Sequence, residues 1–252
     1  MRHKIYSGVL SAFLAVTSHV IAFADTLSVV TLHYPPYCYE ENGEVVGFSA
    51  DLLKEVFRRM DIPMQIKVLP WKRALKMVKD GRADAVFLAF KTEEREQFAD
   101  FPEEMFIAEP TSLFVKKGSK ITWNGELGSL NKYKVGRPLG YSSGTEFDNA
   151  VKSGVIPYID GAGSPQITIR KLIKGRIDIL VANRYLILDE LRKMKKVGEI
   201  KELKPVINED PSYLAFSKKR DMRKIIEKYV EVIRGMKNDG SYQRIIDDFF
   251  NK

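Results

Sequence analysis

Hydrophobic and polar positions along the chain form two kinds of run, and the clearest join between them falls at Gly81. Residues 69–78 place Trp71, Ala74, Leu75 and Val78 at helical spacing. Gly81 then stands where a helix C-terminus needs a residue tolerant of positive φ. After Asp84 comes an unbroken apolar run, residues 85–90, short and bounded by charge, as in a strand buried on both faces of a parallel sheet. It stops on Lys91 and Thr92 with Glu93, Glu94 and Arg95 behind them. A polar loop therefore sits at the carboxyl end of the strand, where open α/β sheets bind ligands. The unit recurs. Leu172-Ile173-Lys174 leads into Gly175-Arg176-Ile177-Asp178, then an apolar strand at 179–182, then Asn183 and Arg184, which sets Ala89 opposite Asn183.

The rest of the pattern places these two units third in two similar series. In the first, a strand is predicted at 27–32, then an aromatic loop His33-Tyr34-Pro35-Pro36-Tyr37, a turn at 41–44, a helix at 50–60 with Ser49 as its N-cap, and a strand at 63–69. Residues 98–110 read as irregular, and 111–115 as a strand. The second series predicts strands at 133–137, 156–159 and 178–182, a loop at 140–144, and helices at 145–152 and at 165–174, where Pro165 suits a first turn. A helix at 184–196, a short strand at 213–217 and helices at 221–236 and 242–250 complete the chain. Two βαβαβ halves follow one another, and the tail has no counterpart after the first. The simplest arrangement returns it to the first lobe, with 111–115 and 213–216 as paired crossing strands forming a hinge. The expected lobes are residues 25–112 with 213–252, and residues 113–212.

Composition adds compartment and excludes some partners. Met-Arg-His-Lys, a mostly apolar stretch to Phe23 and Ala22-Phe23-Ala24 have the form of a secretory signal peptide over 1–24, cleaved after Ala24; Ser7, Ser11, Thr17, Ser18 and His19 argue against a membrane anchor. Without Arg2 and Lys4 the formal charge of +8 becomes +6, with cations interspersed among acids, which is the pattern of a solvated surface and not of a nucleic-acid site. Cys38 is the only cysteine, so no intrachain disulfide can form. With His3 and His19 lost in the leader, His33 and Cys38 make no metal-ligand set, and no cofactor is expected.

Several segments together resemble the bacterial extracellular solute-binding proteins of the polar amino-acid type, family 3, which feed ABC importers. They are Tyr34-Pro35-Pro36-Tyr37, Gly47-Phe48-Ser49-Ala50-Asp51-Leu52, Gly81-Arg82-Ala83-Asp84-Ala85, Thr92-Glu93-Glu94-Arg95, Phe98-Ala99-Asp100-Phe101, Tyr213-Leu214-Ala215-Phe216-Ser217 and Asn238-Asp239-Gly240-Ser241-Tyr242. The resemblance implies an α/β, two-lobe periplasmic binding protein fold of type II, each lobe a βαβαβ sheet with flanking helices, joined by two hinge crossovers. It implies a periplasmic monomer that closes on a small polar, carboxylate-bearing solute and presents it to an inner-membrane permease. It also implies roles. Arg95 grips a carboxylate with a bidentate fork, or else pairs with Glu93, Glu94 or Asp100 at the surface. Tyr34 and Trp71 flank the solute side chain, although Trp71 equally suits the core of its helix. In lobe two, Tyr141 and Ser142 belong to a second anion-contacting loop.

Two departures from the family pattern bear on the ligand. Ala89 and Lys91 stand where the family often has Gly followed by Ser or Thr. Lys91 would suit a second acidic group or would point to water. Asn183 stands where the family usually has an Asp that pairs with the solute's α-ammonium, and an amide carries no charge. Arg73 and Arg184 flank the two strand ends. Two further readings share the scaffold. One is a dehydratase of the shikimate branch, for which His33 and Glu146 are the acid–base candidates. The other is a sensor presenting its liganded state to a membrane receptor.

Overall fold

The computed structural model describes residues 26–139, 143 and 145–251. The leader with its expected cleavage point, and Tyr141 and Ser142 of the second anion loop, lie outside them. The first half runs β1 (Leu27–Thr31), β2 (Tyr39–Glu41), β3 (Glu44–Val46), α1 (Phe48–Met60), β4 (Met64–Val68), α2 (Trp71–Lys79) and β5 (Ala85–Phe90). A short helix α3 (Glu93–Glu96) and strand β6 (Ala99–Asp100) lead to β7 (Ile107–Lys116). After a 3-10 turn, the second half is β8 (Val135–Pro138), α4 (Thr145–Lys152), β9 (Ile159–Ala162), α5 (Pro165–Ile173), β10 (Ile179–Asn183) and α6 (Arg184–Lys193). The chain returns through β11 (Ile200–Ser217) to α7 (Arg223–Asn238) and α8 (Ser241–Asn251), which pack on α1.

One mixed sheet runs β4-β1-β5-β11-β7-β10-β8-β9. Its two ends are parallel three-strand units of the same topology, second-first-third, and β7 with β11 forms the antiparallel ribbon between them. Four buried apolar clusters divide along the same line. Two lie on opposite faces of β1 and β5, and two on opposite faces of β10.

The recurring Gly-Arg-x-Asp unit has a mechanical meaning in both halves. Gly81 and Gly175 adopt φ of 74° and 68° just past α2 and α5. The following arginine amides bond back to Met77 and Lys171, and the glycine amides to Val78 and Leu172, closing a Schellman turn at each site. Asp84 then accepts from the amide of Ser28 at 2.8 Å, and Asp178 from that of Lys134 at 2.8 Å, while each Asp amide donates to the same partner's carbonyl. The motif thus ends a helix and pins the third strand of the half to the first.

Three expectations are corrected. Residues 213–216 do not pair with 111–115: Thr111 lies opposite Asn208 and Val115 opposite Lys201, while Tyr213 to Phe216 pair with β5. β11 is 18 residues long, and its first part carries charged residues and two prolines that disguise it. Pro110 sits inside β7 without breaking it, because β10 ends at Thr111 and leaves that stretch paired on one side only. Ser49 does not cap α1, which starts at Phe48 after Gly47. Its hydroxyl donates to the Tyr37 carbonyl at 2.6 Å and ties the aromatic loop to the helix.

Candidate functional site

The carboxyl ends of β5 and β10 converge on the middle of the ribbon. Phe90, closing β5, lies beside Ser212, which is opposite Ile107; Asn183, closing β10, lies beside Thr111, opposite Asn208. Between those levels the ribbon contributes Ala108, Glu109 and Pro110 from one strand and Glu209, Asp210 and Pro211 from the other. This is the crevice outside the strand ends where such sheets bind ligands.

On the lobe-one side, Thr92 caps α3 by accepting the Arg95 amide at 3.3 Å. Arg95 donates through Nη1 to the carbonyl of Phe90 at 2.7 Å, and its guanidinium stands 5.2 Å from the centre of the Trp71 ring. Burial draws its pKa down, opposed by Glu94. The expected surface pairs of Arg95 are not formed among the described residues. Glu96 is taken by Lys91 at 3.0 Å and Asp100 by Lys218 at 3.6 Å. Trp71, half-buried against the α2 core, has the packing role expected of it, and it also holds the arginine by a cation–π contact. Arg95 also borders a groove of about 470 Å³ that Lys72, Lys76 and Lys79 line.

Two expected contacts leave the site. Lys91 points to Glu96, in an exposed ion pair. Ala89 is fully buried with Val30, Val86 and Ala215 in the α2 core. A bulge causes this: Phe87 and Leu88 both lie opposite Leu214, Leu88 at a φ of 61°, so the side-chain alternation slips by one and Ala89 turns away from the opposite face.

A second group forms on the ribbon. Tyr34 stacks on Tyr37 with ring centres 4.7 Å apart and planes 6° from parallel, and its hydroxyl donates to Glu109 Oε2 at 3.1 Å. Asn183 Nδ2 donates to the Tyr37 hydroxyl at 2.8 Å, and its Oδ1 accepts the Leu186 amide at 3.1 Å as the N-cap of α6. The structure brings Asn183 to the lobe junction, where each end of its amide already serves one protein partner. Tyr185 packs edge-on to Tyr37 and stacks on Phe250, so the junction is closed by aromatic contact. Glu109 is 7% exposed, and burial pushes its carboxyl up to about 7, with Asp210 across the ribbon adding to the rise and the Tyr34 hydroxyl opposing it. Burial also raises the Tyr37 phenol well above its ordinary value.

Elsewhere, Arg184 approaches Glu202 at 3.3 Å, and Glu202 accepts from Ser112 at 2.6 Å. Arg73, His33 and Glu146 are exposed, and Cys38 is buried with its thiol pushed up to about 12. Sequence reasoning named the Tyr37 loop but missed Tyr37 itself, Tyr185 and Glu109 as junction residues. Glu109 had one legible signal, a lone acid in an apolar run beginning at Phe106, masked by the proline beside it.

The family model described as bacterial extracellular solute-binding proteins, family 3, matches residues 27–252. The chain is 22% identical over 228 residues to the probable amino-acid-binding protein YxeM of Bacillus subtilis, covering 86% of this chain and 80% of that one. It is 24% identical over 251 residues to the ABC transporter arginine-binding protein 1 of Escherichia coli, covering 96% and 98%. The unliganded open structure of the L-cystine solute receptor of Neisseria gonorrhoeae superposes with a TM-score of 0.73 at 19% identity over 90% of this chain and 93% of that one. At that identity the likeness establishes the two-lobe fold.

Proposed function

Because the chain belongs to the bacterial extracellular solute-binding proteins of family 3, we propose that it captures a carboxylate-bearing polar solute, an amino acid or a near relative, between its lobes. It then presents the solute to an ABC permease of the inner membrane. In this reading the lobes are residues 25–112 with 213–252 and residues 113–212, hinged on the β7–β11 ribbon, and the protein acts as a periplasmic monomer after cleavage behind Ala24. The observation that carries it is Arg95, fixed at the end of β5 by the Phe90 carbonyl and the Trp71 ring with no described acid in ion-pair range. A guanidinium held in place costs little further ordering when a carboxylate docks on its remaining donors. No helix among the described residues is long and apolar enough to cross a membrane.

The test uses protein expressed with its leader and purified from the periplasm, its N-terminus read by mass spectrometry. Thermal shift against amino acids, dicarboxylates and their amides identifies the solute, since ~100-fold excess over Kd stabilises by about 2.7 kcal/mol. Arg95→Ala should weaken a hit by roughly 100-fold while leaving the unliganded melting point within about 2 °C. Unchanged affinity in Arg95→Ala would remove the arginine from the reading.

A further inference from the structure

Glu109 occupies an unusual place. It lies on β7 between the levels at which the lobe-one and lobe-two strand ends meet the ribbon. It is buried, it faces another acid, Asp210, across the ladder, and no described Lys, Arg or His lies within 4 Å of it. A carboxylate enclosed without a cation is expensive to keep, and a hydrophobic or amide side chain of similar size would be cheaper in a purely structural role. It accepts from the hydroxyl of Tyr34, whose ring begins the stack that reaches Asn183 in the other half, and Ser212 on β11 is a second hydrogen-bonding neighbour. Asn183 spends one N–H of Nδ2 on Tyr37 and one lone pair of Oδ1 on the α6 cap, and whatever hydrogen-bonding capacity its amide keeps carries no charge to match a cation. A positively charged solute group entering this junction would therefore find its counter-charge in the ribbon carboxyls, of which Glu109 is the buried one that Tyr34 holds.

We propose that Glu109 is the receptor for a protonated amine or guanidine of the bound solute, which makes the ligand class a zwitterion or cation and excludes plain dicarboxylates. The inference rests on the solute-binding reading above and deepens it. Burial and Asp210 favour the uncharged carboxyl in the empty protein. Docking of a cation then favours the ionised form, and the share of a proton that Glu109 still holds at that pH leaves to solvent. The groups facing Glu109 are Tyr34 and Tyr37 from the β1 loop and Asp210 and Ser212 from β11, so Asp210→Asn is measured alongside to separate the charged contribution.

The experiment is calorimetric titration of the periplasmic protein at pH 7 in phosphate and in Tris. The probes are L-arginine, L-histidine and L-glutamine, the same solutes without the α-amine, agmatine and glutarate. Support requires three results together. An amine- or guanidine-bearing probe binds. Binding releases up to about one proton, seen as a buffer-dependent heat. Glu109→Gln weakens it at least ~30-fold and abolishes the proton release, while Asp210→Asn keeps most of both. Should Glu109→Gln fail to fold, Glu109→Asp and Tyr34→Phe carry the same readout, with partial loss expected. Binding of a cationic probe that Glu109→Gln leaves unchanged overturns the inference and leaves the solute-binding reading intact. So does tight binding of glutarate with no amine-bearing probe bound. Binding of no probe at all overturns both.

Discussion

The two halves of this molecule share a topology and a motif, yet they treat their strand ends in opposite ways. At the end of β5, Arg95 rests on Trp71 and one carbonyl and keeps its charge turned to no protein acid that the structure describes. At the end of β10, Asn183 is spent on its own helix and on Tyr37 of the other half. The anchoring aspartates diverge likewise. Asp84 is buried and reached by Arg220 at 2.7 Å from the returning tail, whereas Asp178 is exposed. The first half is braced by the tail and can afford a poised side chain, while the second relies on contact with the first. A duplicated fold divides its labour through what packs against each copy, and the buried carboxyl of the junction stands on the shared ribbon, at Glu109.

That contrast can be broken at several points. The largest effect is expected at the ribbon. Because burial raises the Glu109 carboxyl from 4.5 to about 7, its protonated form contributes stability that is complete below about pH 4.5 and lost as pH rises through 7. Glu109→Gln carries no such dependence. Relative to wild type it should gain on the order of 3 kcal/mol of unliganded stability at pH 8 and nothing at pH 4, as urea midpoints at the two values would show. A difference that does not change with pH would mean the carboxyl titrates normally.

Next come the paired aspartates. Asp84→Ala takes a buried acceptor from the half-buried Ser28 amide and should cost about 2–3 kcal/mol, against under about 1 kcal/mol for Asp178→Ala, where water replaces the lost acceptor. Equal costs in denaturant titrations would deny that the tail braces only the first half. The glycines sharpen the same point with a smaller gap. Gly175→Ala meets open space and should lose about 1–2 kcal/mol from the left-handed backbone alone. In Gly81→Ala the new Cβ would stand 2.8 Å from Lys219 Cβ, so roughly 1 kcal/mol more is expected. Smallest of all is Lys91→Ala, which breaks an exposed pair with Glu96. It should shift stability by less than about 0.5 kcal/mol and leave solute affinity unchanged. A loss of affinity there would return Lys91 to the site.

Much of this architecture is local and was therefore legible. Helical periodicity, Gly81 and Gly175 past two helix ends, and apolar runs cut off by charge depend on neighbours in sequence, so the two βαβαβ halves and the position of Arg95 could be read directly. The long strand β11 could not, because a ribbon strand held mainly by backbone pairing tolerates the charges and prolines that sequence reading treats as breaks. Nor could the fate of Ala89, since a single bulged residue at Leu88 reverses which face the next side chain takes. The residue chemistry of Lys91, Asn183 and Glu109 was visible as chemistry. Whether each charge or amide was already satisfied depended on partners distant in sequence: 75 residues away for Glu109 and Tyr34, and 146 for Asn183 and Tyr37. By itself the sequence determined the elements, the repeat and the family. Tertiary structure decided which polar groups arrive at the junction uncommitted, because hydrogen-bond and charge satisfaction is a property of what packing brings together.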